Sequence, residues 1–203
     1  MQNYADMMFH DTVARLQREE GSYERYQTMY PHRTLEKLGI NDIAFIEARE
    51  SIYIASVNPD GWPYIQHRGG PCGFLKVIDD NRIACADYRG NKQFITMGNL
   101  AHDDRVSVFC MDYFNRARLK IQGRASLVKR EDADPDLLEK VDSNELPAER
   151  VLVIDIVAMD WNCPKYIPQL IAVDQVQRAV GESLGALKAE NDALKAELAA
   201  LKG

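Results

Sequence analysis

The chain lacks the sequence patterns that mark the commonest catalytic and metal sites. Its four histidines and four cysteines show no metal-ligand spacing, and no two cysteines form a C-x-x-C pair. It contains no P-loop, no dinucleotide-binding glycine fingerprint and no G-x-S-x-G element. We therefore predict no metal site. Catalytic residues stay unassigned, because Cys163, which could be a nucleophile, has no assignable base.

The sequence also lacks long apolar runs and an excess of positive charge. No run approaches the roughly 20 apolar residues that span a bilayer. The first residues, MQNYADMMFH, have no basic segment followed by an apolar one, as a signal peptide would. A net charge of −6 argues against general nucleic-acid binding. We expect a cytoplasmic protein with reduced thiols that binds neither membranes nor nucleic acid.

Short runs with strand character fill the middle of the chain. They are rich in β-branched and aromatic residues, and turn signals such as Asn58-Pro59-Asp60-Gly61 separate them. Short strands at this close spacing predict a mainly β, antiparallel barrel with flanking helices. The runs are SIYIASV, WPYIQHR, GFLKVID, RIACAD, RVSVFCMD, ARLKIQGRASLV and VLVIDIVAMD.

Composition shifts divide the chain into four parts. Residues 1–40 read as a helical extension, and residues 41–165 as the barrel, with an acidic helical excursion over 131–150. We also predict a short helix over Lys92–Leu100 and another that Asn41 or Asp42 caps. We expect a linker over 166–182 and a C-terminal amphipathic helix over 183–203.

Two basic glycine turns flank one predicted hairpin. They are Arg68-Gly69-Gly70 and Arg89-Gly90-Asn91-Lys92, with His67 directly before the first. Glycine lets backbone N–H groups come close to a ligand, and arginine or lysine supplies positive charge. The combination predicts a site for a phosphate-bearing ligand at one end of the sheet.

Cations alternate along a later strand. Arg116, Arg118, Lys120 and Arg124 are predicted to share one face of it with Gln122. This face either is solvated beside acidic neighbours or meets an anionic ligand or a second subunit. The sequence also leaves open whether Trp161, after the last strand, belongs to the core or walls a planar ligand.

The last twenty residues carry a heptad pattern. Leucines recur three and four residues apart, with Asn191 at an a position and charged residues, including Lys202, on the flanks. A buried asparagine at an a position tends to select a parallel dimer. The alternative is an amphipathic helix that packs on its own domain. The apolar positions are Leu184, Leu187, Leu194, Leu198 and Leu201.

Residues 41–165 resemble the pyridoxamine 5′-phosphate oxidase-like split-barrel proteins that bind FMN. The resemblance is carried by DGWPYIQHRGGPCGFLKVIDD, ADYRGNKQFITMGNLAHDDRVSVF, RARLKIQGRA and AMDWNCP, and is strongest to a branch of flavin-nucleotide-binding members. It implies a six-stranded antiparallel split barrel and a homodimer with two FMN sites at the subunit interface.

The resemblance also assigns cofactor-binding residues. His67, Arg68 and Gly69 would lie on the strand whose basic residue meets the flavin phosphate. A loop beneath the phosphate and the ring would supply the next residues, and Arg118 and Trp161 would lie near the ring. The loop residues are Asp87, Tyr88, Asn91, Lys92 and Gln93.

Two departures bear on the activity. The vitamin B6 oxidases carry a flavin-contacting glutamine where this chain has Arg118, and a basic C-terminal segment where it has a heptad tail. The resemblance therefore favours an FMN-dependent oxidoreductase of unknown small-molecule substrate. Two alternatives are a non-catalytic flavin-binding or flavin-sensing dimer, and a pyridoxamine-phosphate oxidase with an altered substrate grip.

Overall fold

The structure, a computed structural model, describes residues 1–142 and 147–201. The described chain forms two compact units. The larger comprises Met1–Asp112 and Ala117–Pro164, and the smaller comprises Tyr113–Arg116 and the segment from Lys165 onward.

The larger unit is built on one antiparallel sheet of seven strands, in the order β2-β1-β5-β6-β7-β4-β3. The mainly β class and the split-barrel fold are thus confirmed, although the sheet has one strand more than the resemblance implied. Each apolar run of the sequence became one strand. The strands are β1 Ser51–Val57, β2 Pro63–Gly69, β3 Leu75–Asp79, β4 Arg82–Asp87, β5 Arg105–Asp112, β6 Ala117–Lys129 and β7 Arg150–Trp161.

Alternation along the strands places the core on one face of the sheet. In β1 every second residue is buried, and Ile52 and Ile54 pack with Ile121 of β6 and Ile154 of β7. Strand β7 is buried along most of its length, because one face packs in the main core and helices cover part of the other. This explains its nearly continuous apolar sequence.

Helices surround the barrel. The short helices at the beginning of the chain pack on the outside of β7, where Tyr4 and Tyr30 cover Ala158. Helix α4 begins one residue before Asn41, since Gly39 is its N-cap and Asp42 accepts a hydrogen bond from the Gly39 N–H at 2.9 Å. The helices of this unit are α1 Tyr4–Met8, α2 Asp11–Glu19, α3 Tyr23–Met29, α4 Ile40–Glu47, α5 Ile95–His102 and α6 Pro135–Val141.

Part of the excursion predicted over 131–150 is helical, as α6, and its residues 143–146 lie outside the described part. In the smaller unit, helix α7 runs from Val173 to Ala200. It therefore begins inside the segment 166–182 that we predicted as a linker. The last two residues of the predicted helix, 202 and 203, also lie outside the described part. Among the described residues, no helix combines the length and the apolar character needed to cross a membrane.

Candidate functional site

One end of the barrel opens into a cleft of about 270 Å³. Strand β2 forms one wall, and the end of β4 with the beginning of β7 forms the other. The loop over residues 88–94 and the first turn of α5 complete it. The cleft thus lies where the two outer parts of the open sheet, β2 and β4, face each other.

Asp87 joins two arginines across this cleft. Its Oδ1 accepts a hydrogen bond from Nη1 of Arg68 on β2, and its Oδ2 accepts one from Nε of Arg150 at 2.6 Å. All three side chains are largely shielded from solvent. A single carboxylate therefore holds two guanidinium groups side by side and offsets their mutual repulsion.

Sheet register explains why these groups meet. Strands β4 and β7 pair so that Arg150 lies directly opposite Asp87, and the Glu149 N–H donates to the Asp87 carbonyl at 3.0 Å. Successive side chains of a strand point to opposite faces. Arg68 consequently shares the face of β2 that also presents Gln66, whose amide oxygen accepts a hydrogen bond from Thr96 Oγ1 at 2.7 Å.

The arginines keep donors for a further partner. Among the described residues, no group bonds the buried Nε of Arg68. Arg150 uses Nη2 for Glu149 at 3.2 Å, and its guanidinium lies over the Phe94 ring at 5.8 Å. A buried donor without a partner costs about 1–3 kcal/mol, so a ligand oxygen at this position would be stabilising.

Helix α5 points its N-terminus into the same cleft. Its N-cap is Phe94, with a φ of 56°, and no described side chain caps the free N–H groups. Lys92 also has a positive φ of 59°, which a right-handed helix does not allow. The helix that we predicted over Lys92–Leu100 therefore begins only at Ile95. An uncapped helix N-terminus attracts anions, because its N–H groups and its dipole both favour negative charge.

The cleft is positively charged in a chain that is negative overall. Four cations and two carboxylates line it, whereas the whole chain has a net charge of −6. Arg89 lies at the rim, 73% exposed. The charged residues are Arg68, Asp87, Arg89, Lys92, Glu149 and Arg150.

Most of the predicted cofactor-binding residues line this one cleft. The structure brings together the residues of both basic glycine turns, which are far apart in sequence. The predicted residues in the cleft are His67, Arg68, Gly69, Asp87, Tyr88, Asn91, Lys92 and Gln93. Arg150 was not predicted, because its position as a cation before the apolar run 151–160 does not show which strand it faces.

Arg118 and Trp161 lie outside the cleft. On β6, Arg118 and the cleft residue Leu127 are separated by about 30 Å, at about 3.3 Å per residue. On β7, Trp161 and Arg150 are at opposite ends of the strand. Neither predicted residue can share a ligand with the cleft of its own chain.

Trp161 is partly buried and packs against the hydrophobic core. Its indole N–H donates to Asp42 Oδ1 at 2.8 Å, and its ring packs edge-on against Phe45 at 4.6 Å. It therefore fixes α4 against β7. In the single chain the ring thus packs against the core, and a contact between Trp161 and a ligand stays a prediction.

The cationic face of β6 is mostly paired with acidic neighbours. Lys120 contacts Asp160 at 3.2 Å, and Arg124 contacts Asp104 at 2.5 Å. Arg116 precedes the strand in a turn, with a φ of 52°. Arg118 differs, because its Nε is buried and none of the described groups bonds it.

The buried cysteines are unreactive by environment. Burial raises the pKa of the Cys85 thiol to about 12, and burial does the same for Cys110. At neutral pH both therefore remain thiols and serve as small apolar core residues. Within the described residues, no cluster of three or more potential ligands could hold a metal ion.

The fold and the cleft define a class: a split-barrel protein with a cationic cleft at the open end of its sheet. The family model named pyridoxamine 5′-phosphate oxidase matches residues 43–163, more than half of the chain. The chain belongs to that family.

The chain is similar to several solved structures, of which the first agrees with the fold. A pyridoxamine 5′-phosphate oxidase-like protein of Lactobacillus delbrueckii is 16% identical, with 63% of this chain and 96% of that chain covered and a TM-score of 0.50. An FMN-binding protein of Syntrophomonas wolfei is also 16% identical, with 72% and 97% covered and a TM-score of 0.45. An F420 reductase is 18% identical, with 58% and 94% covered and a TM-score of 0.41. Among curated proteins, no sequence matches the chain significantly.

Proposed function

We propose that the protein binds FMN, with the flavin phosphate in the cationic cleft, and acts as a flavin-dependent oxidoreductase on a small molecule. The observation that carries the proposal is the convergence of Arg68, Arg150 and the uncapped N-terminus of α5 on one cleft. Membership of the pyridoxamine 5′-phosphate oxidase family supports a flavin as the ligand.

The residues present fit a phosphate monoester. A phosphate offers three strong acceptor oxygens, and the cleft offers guanidinium N–H groups, the Lys92 ammonium and free helix N–H groups. Asp87 does not oppose this fit, because it uses one N–H of each arginine and holds both side chains in place. At Gly90 an added Cβ would meet nothing within 4 Å, so this glycine leaves room for a ligand to approach the backbone.

A second copy of the chain is part of the proposal. The cleft volume of about 270 Å³ lies just below the roughly 300–1,000 Å³ of usual ligand sites. The cleft would hold the phosphate end of FMN, and the flavin ring would extend beyond it onto an adjoining surface. Arg118, with its unused buried Nε, cannot reach its own cleft, so it would contact the flavin bound to a partner subunit.

When bound, FMN would supply the redox chemistry, and the protein would supply binding, orientation and charge near the ring. Arg68, Lys92 and Arg150 would hold the phosphate. Arg118 of the second copy would place a positive charge near the ring, which would favour a negatively charged, reduced form.

The direct test is the absorption spectrum of the purified protein, followed by mass identification of the ligand released on denaturation. We expect a flavin spectrum and the mass of FMN. A colourless protein that also fails to take up added FMN would refute the proposal. Reduction of the bound flavin by a nicotinamide cofactor would favour an enzyme. A bound flavin that no added reductant reduces would favour the alternative, a non-catalytic flavin-binding protein.

A further inference from the structure

Helix α7 carries an apolar seam over its whole length. With Asn191 at position a, the d positions are apolar from Val173 to Leu201, and the a positions are Gln177, Leu184, Asn191 and Leu198. Because the helix begins at Val173, the seam covers four heptads, which meets the three to four that a coiled coil requires. The d residues are Val173, Val180, Leu187, Leu194 and Leu201.

The seam is exposed in the single chain. Leu187 is 61% exposed and Leu194 is 55% exposed, as are their apolar neighbours along the seam to similar degrees. The opposite face carries mostly alanines, and two glycines, Gly181 and Gly185, lie in the middle of the helix. Each interior glycine weakens a helix by about 1 kcal/mol relative to alanine, so the helix gains from a partner that buries its seam.

The charged and polar residues of α7 indicate which kind of helix would bury its seam. Glu190 occupies a g position and Lys195 the following e position, the pair that meets between two parallel, in-register helices. Within one helix these two residues are five apart and do not face each other. Asn191, at an a position, meets its own copy only in the same arrangement, where the two amides can hydrogen-bond.

We propose that α7 forms a parallel, in-register, two-stranded coiled coil with α7 of a second copy of this chain. The seam lies against its equivalent, Asn191 pairs with Asn191, and Glu190 of each chain meets Lys195 of the other. The proposal is independent of the flavin, since none of the cleft residues lies on α7.

The test is disulfide linkage in the full-length protein. In a background with Cys72 and Cys163 replaced by serine, Leu187→Cys is compared with Ala189→Cys under a glutathione redox buffer. Position 187 is a d position and meets itself across a parallel coil, where Cα atoms can reach the roughly 4.4–6.8 Å that a disulfide spans. Position 189 is an f position and faces away.

We expect the disulfide-linked dimer to form at least about tenfold faster with Leu187→Cys than with Ala189→Cys. The reason is that only position 187 brings the two Cα atoms within the distance that a disulfide spans. Equal rates would overturn the proposal. So would the absence of linkage at position 187, which an antiparallel pair or a helix packed within its own subunit would give.

A charge swap gives a second, independent readout. In the Leu187→Cys background, Glu190→Lys should slow linkage several-fold, and the added Lys195→Glu should restore it, because the reversed pair is again complementary. Failure of the double variant to recover would contradict the parallel register. FMN binding, measured on the same variants, reports separately on the proposed function.

Discussion

At the scale of single residues, the cleft depends on a carboxylate shared by two arginines. Asp87 orients Arg68 and Arg150, and neither guanidinium would hold this position readily without it. Arg68 was predicted from its basic glycine turn and Asp87 from the family resemblance. Arg150 was not predicted, because nothing local in the sequence shows that the register of β4 and β7 brings it opposite Asp87.

Arg150→Gln should weaken FMN binding and leave riboflavin binding unchanged. Loss of one charge-assisted bond of about 1.5–3 kcal/mol corresponds to a decrease in affinity of about tenfold to a hundredfold. Quenching of flavin fluorescence measures both ligands. Arg105→Gln is the matched control, since it removes an exposed arginine paired with Asp103 outside the cleft. Equal losses for FMN and riboflavin would show that Arg150 does not contact the phosphate.

Tyr30 should make stability depend on pH in the alkaline range. Burial and the nearby Asp160 carboxylate raise the pKa of Tyr30 to about 12, and the Tyr30 hydroxyl donates to Asp160 at 3.2 Å. Because the folded-state pKa is higher than the unfolded one, this stabilisation is complete below pH 10 and is lost between pH 10 and about 12. At most about 3 kcal/mol is involved, at 1.36 kcal/mol per pKa unit.

The measurement is urea unfolding of the protein and of Tyr30→Phe from pH 8 to 11.5. We expect a steeper alkaline loss of unfolding free energy in the original protein than in the variant. Parallel curves would indicate that Tyr30 titrates normally in the folded state.

At the scale of elements, the sequence predicted strands better than helix ends. Strands follow from alternation and β-branched composition, which act locally, so each of the seven runs appears as a strand. The predicted beginning of α5 at Lys92 was wrong, because Lys92 and Phe94 adopt positive φ values. Neither residue type favours such values, so the sequence does not indicate them. Helix α4 likewise begins at a glycine N-cap rather than at Asn41 or Asp42.

Two glycines should respond oppositely to replacement by alanine. Gly123 lies at a bulge between β6 and β7, where an added Cβ would come within 2.7 Å of Ile154 Cγ2 and 2.8 Å of the Asp155 carbonyl oxygen. Gly185 lies on α7 with nothing within 4 Å. Gly123→Ala should therefore destabilise the barrel, by about 1–3 kcal/mol for overpacking, whereas Gly185→Ala should strengthen α7 by about 1 kcal/mol.

Thermal unfolding reports on the first variant, and amide hydrogen exchange along α7 reports on the second. A barrel that tolerates Gly123→Ala without loss would mean that β6 and β7 can separate at the bulge. Unchanged exchange in Gly185→Ala would mean that helix propensity does not limit α7.

At the scale of the whole molecule, our proposal shares each flavin site between two copies. The long strands β6 and β7 carry cleft residues near one end and Arg118 or Trp161 near the other. The sequence could not show this separation, because the resemblance assigns residues to a ligand without saying which copy supplies them.

Mixed dimers test this sharing. Arg150→Gln damages the cleft, and Arg118→Met removes the distant cation while keeping its apolar stem. If sites are shared, a dimer with one subunit of each kind has one intact site, so an equal, randomly exchanged mixture recovers about a quarter of the FMN sites. Flavin retained per subunit after unfolding and refolding the mixture together is the measurement. No recovery above the separate variants would place all contacts within one chain.

The most direct test of the central claim compares the affinities of FMN and riboflavin for the unmodified protein. The two ligands differ only in the phosphate, so the comparison isolates the contribution of the cationic cleft. We predict that FMN binds more than tenfold tighter, since two charge-assisted contacts contribute about 1.5–3 kcal/mol each. Equal affinities in the same fluorescence titration would contradict the assignment of the cleft to a flavin phosphate.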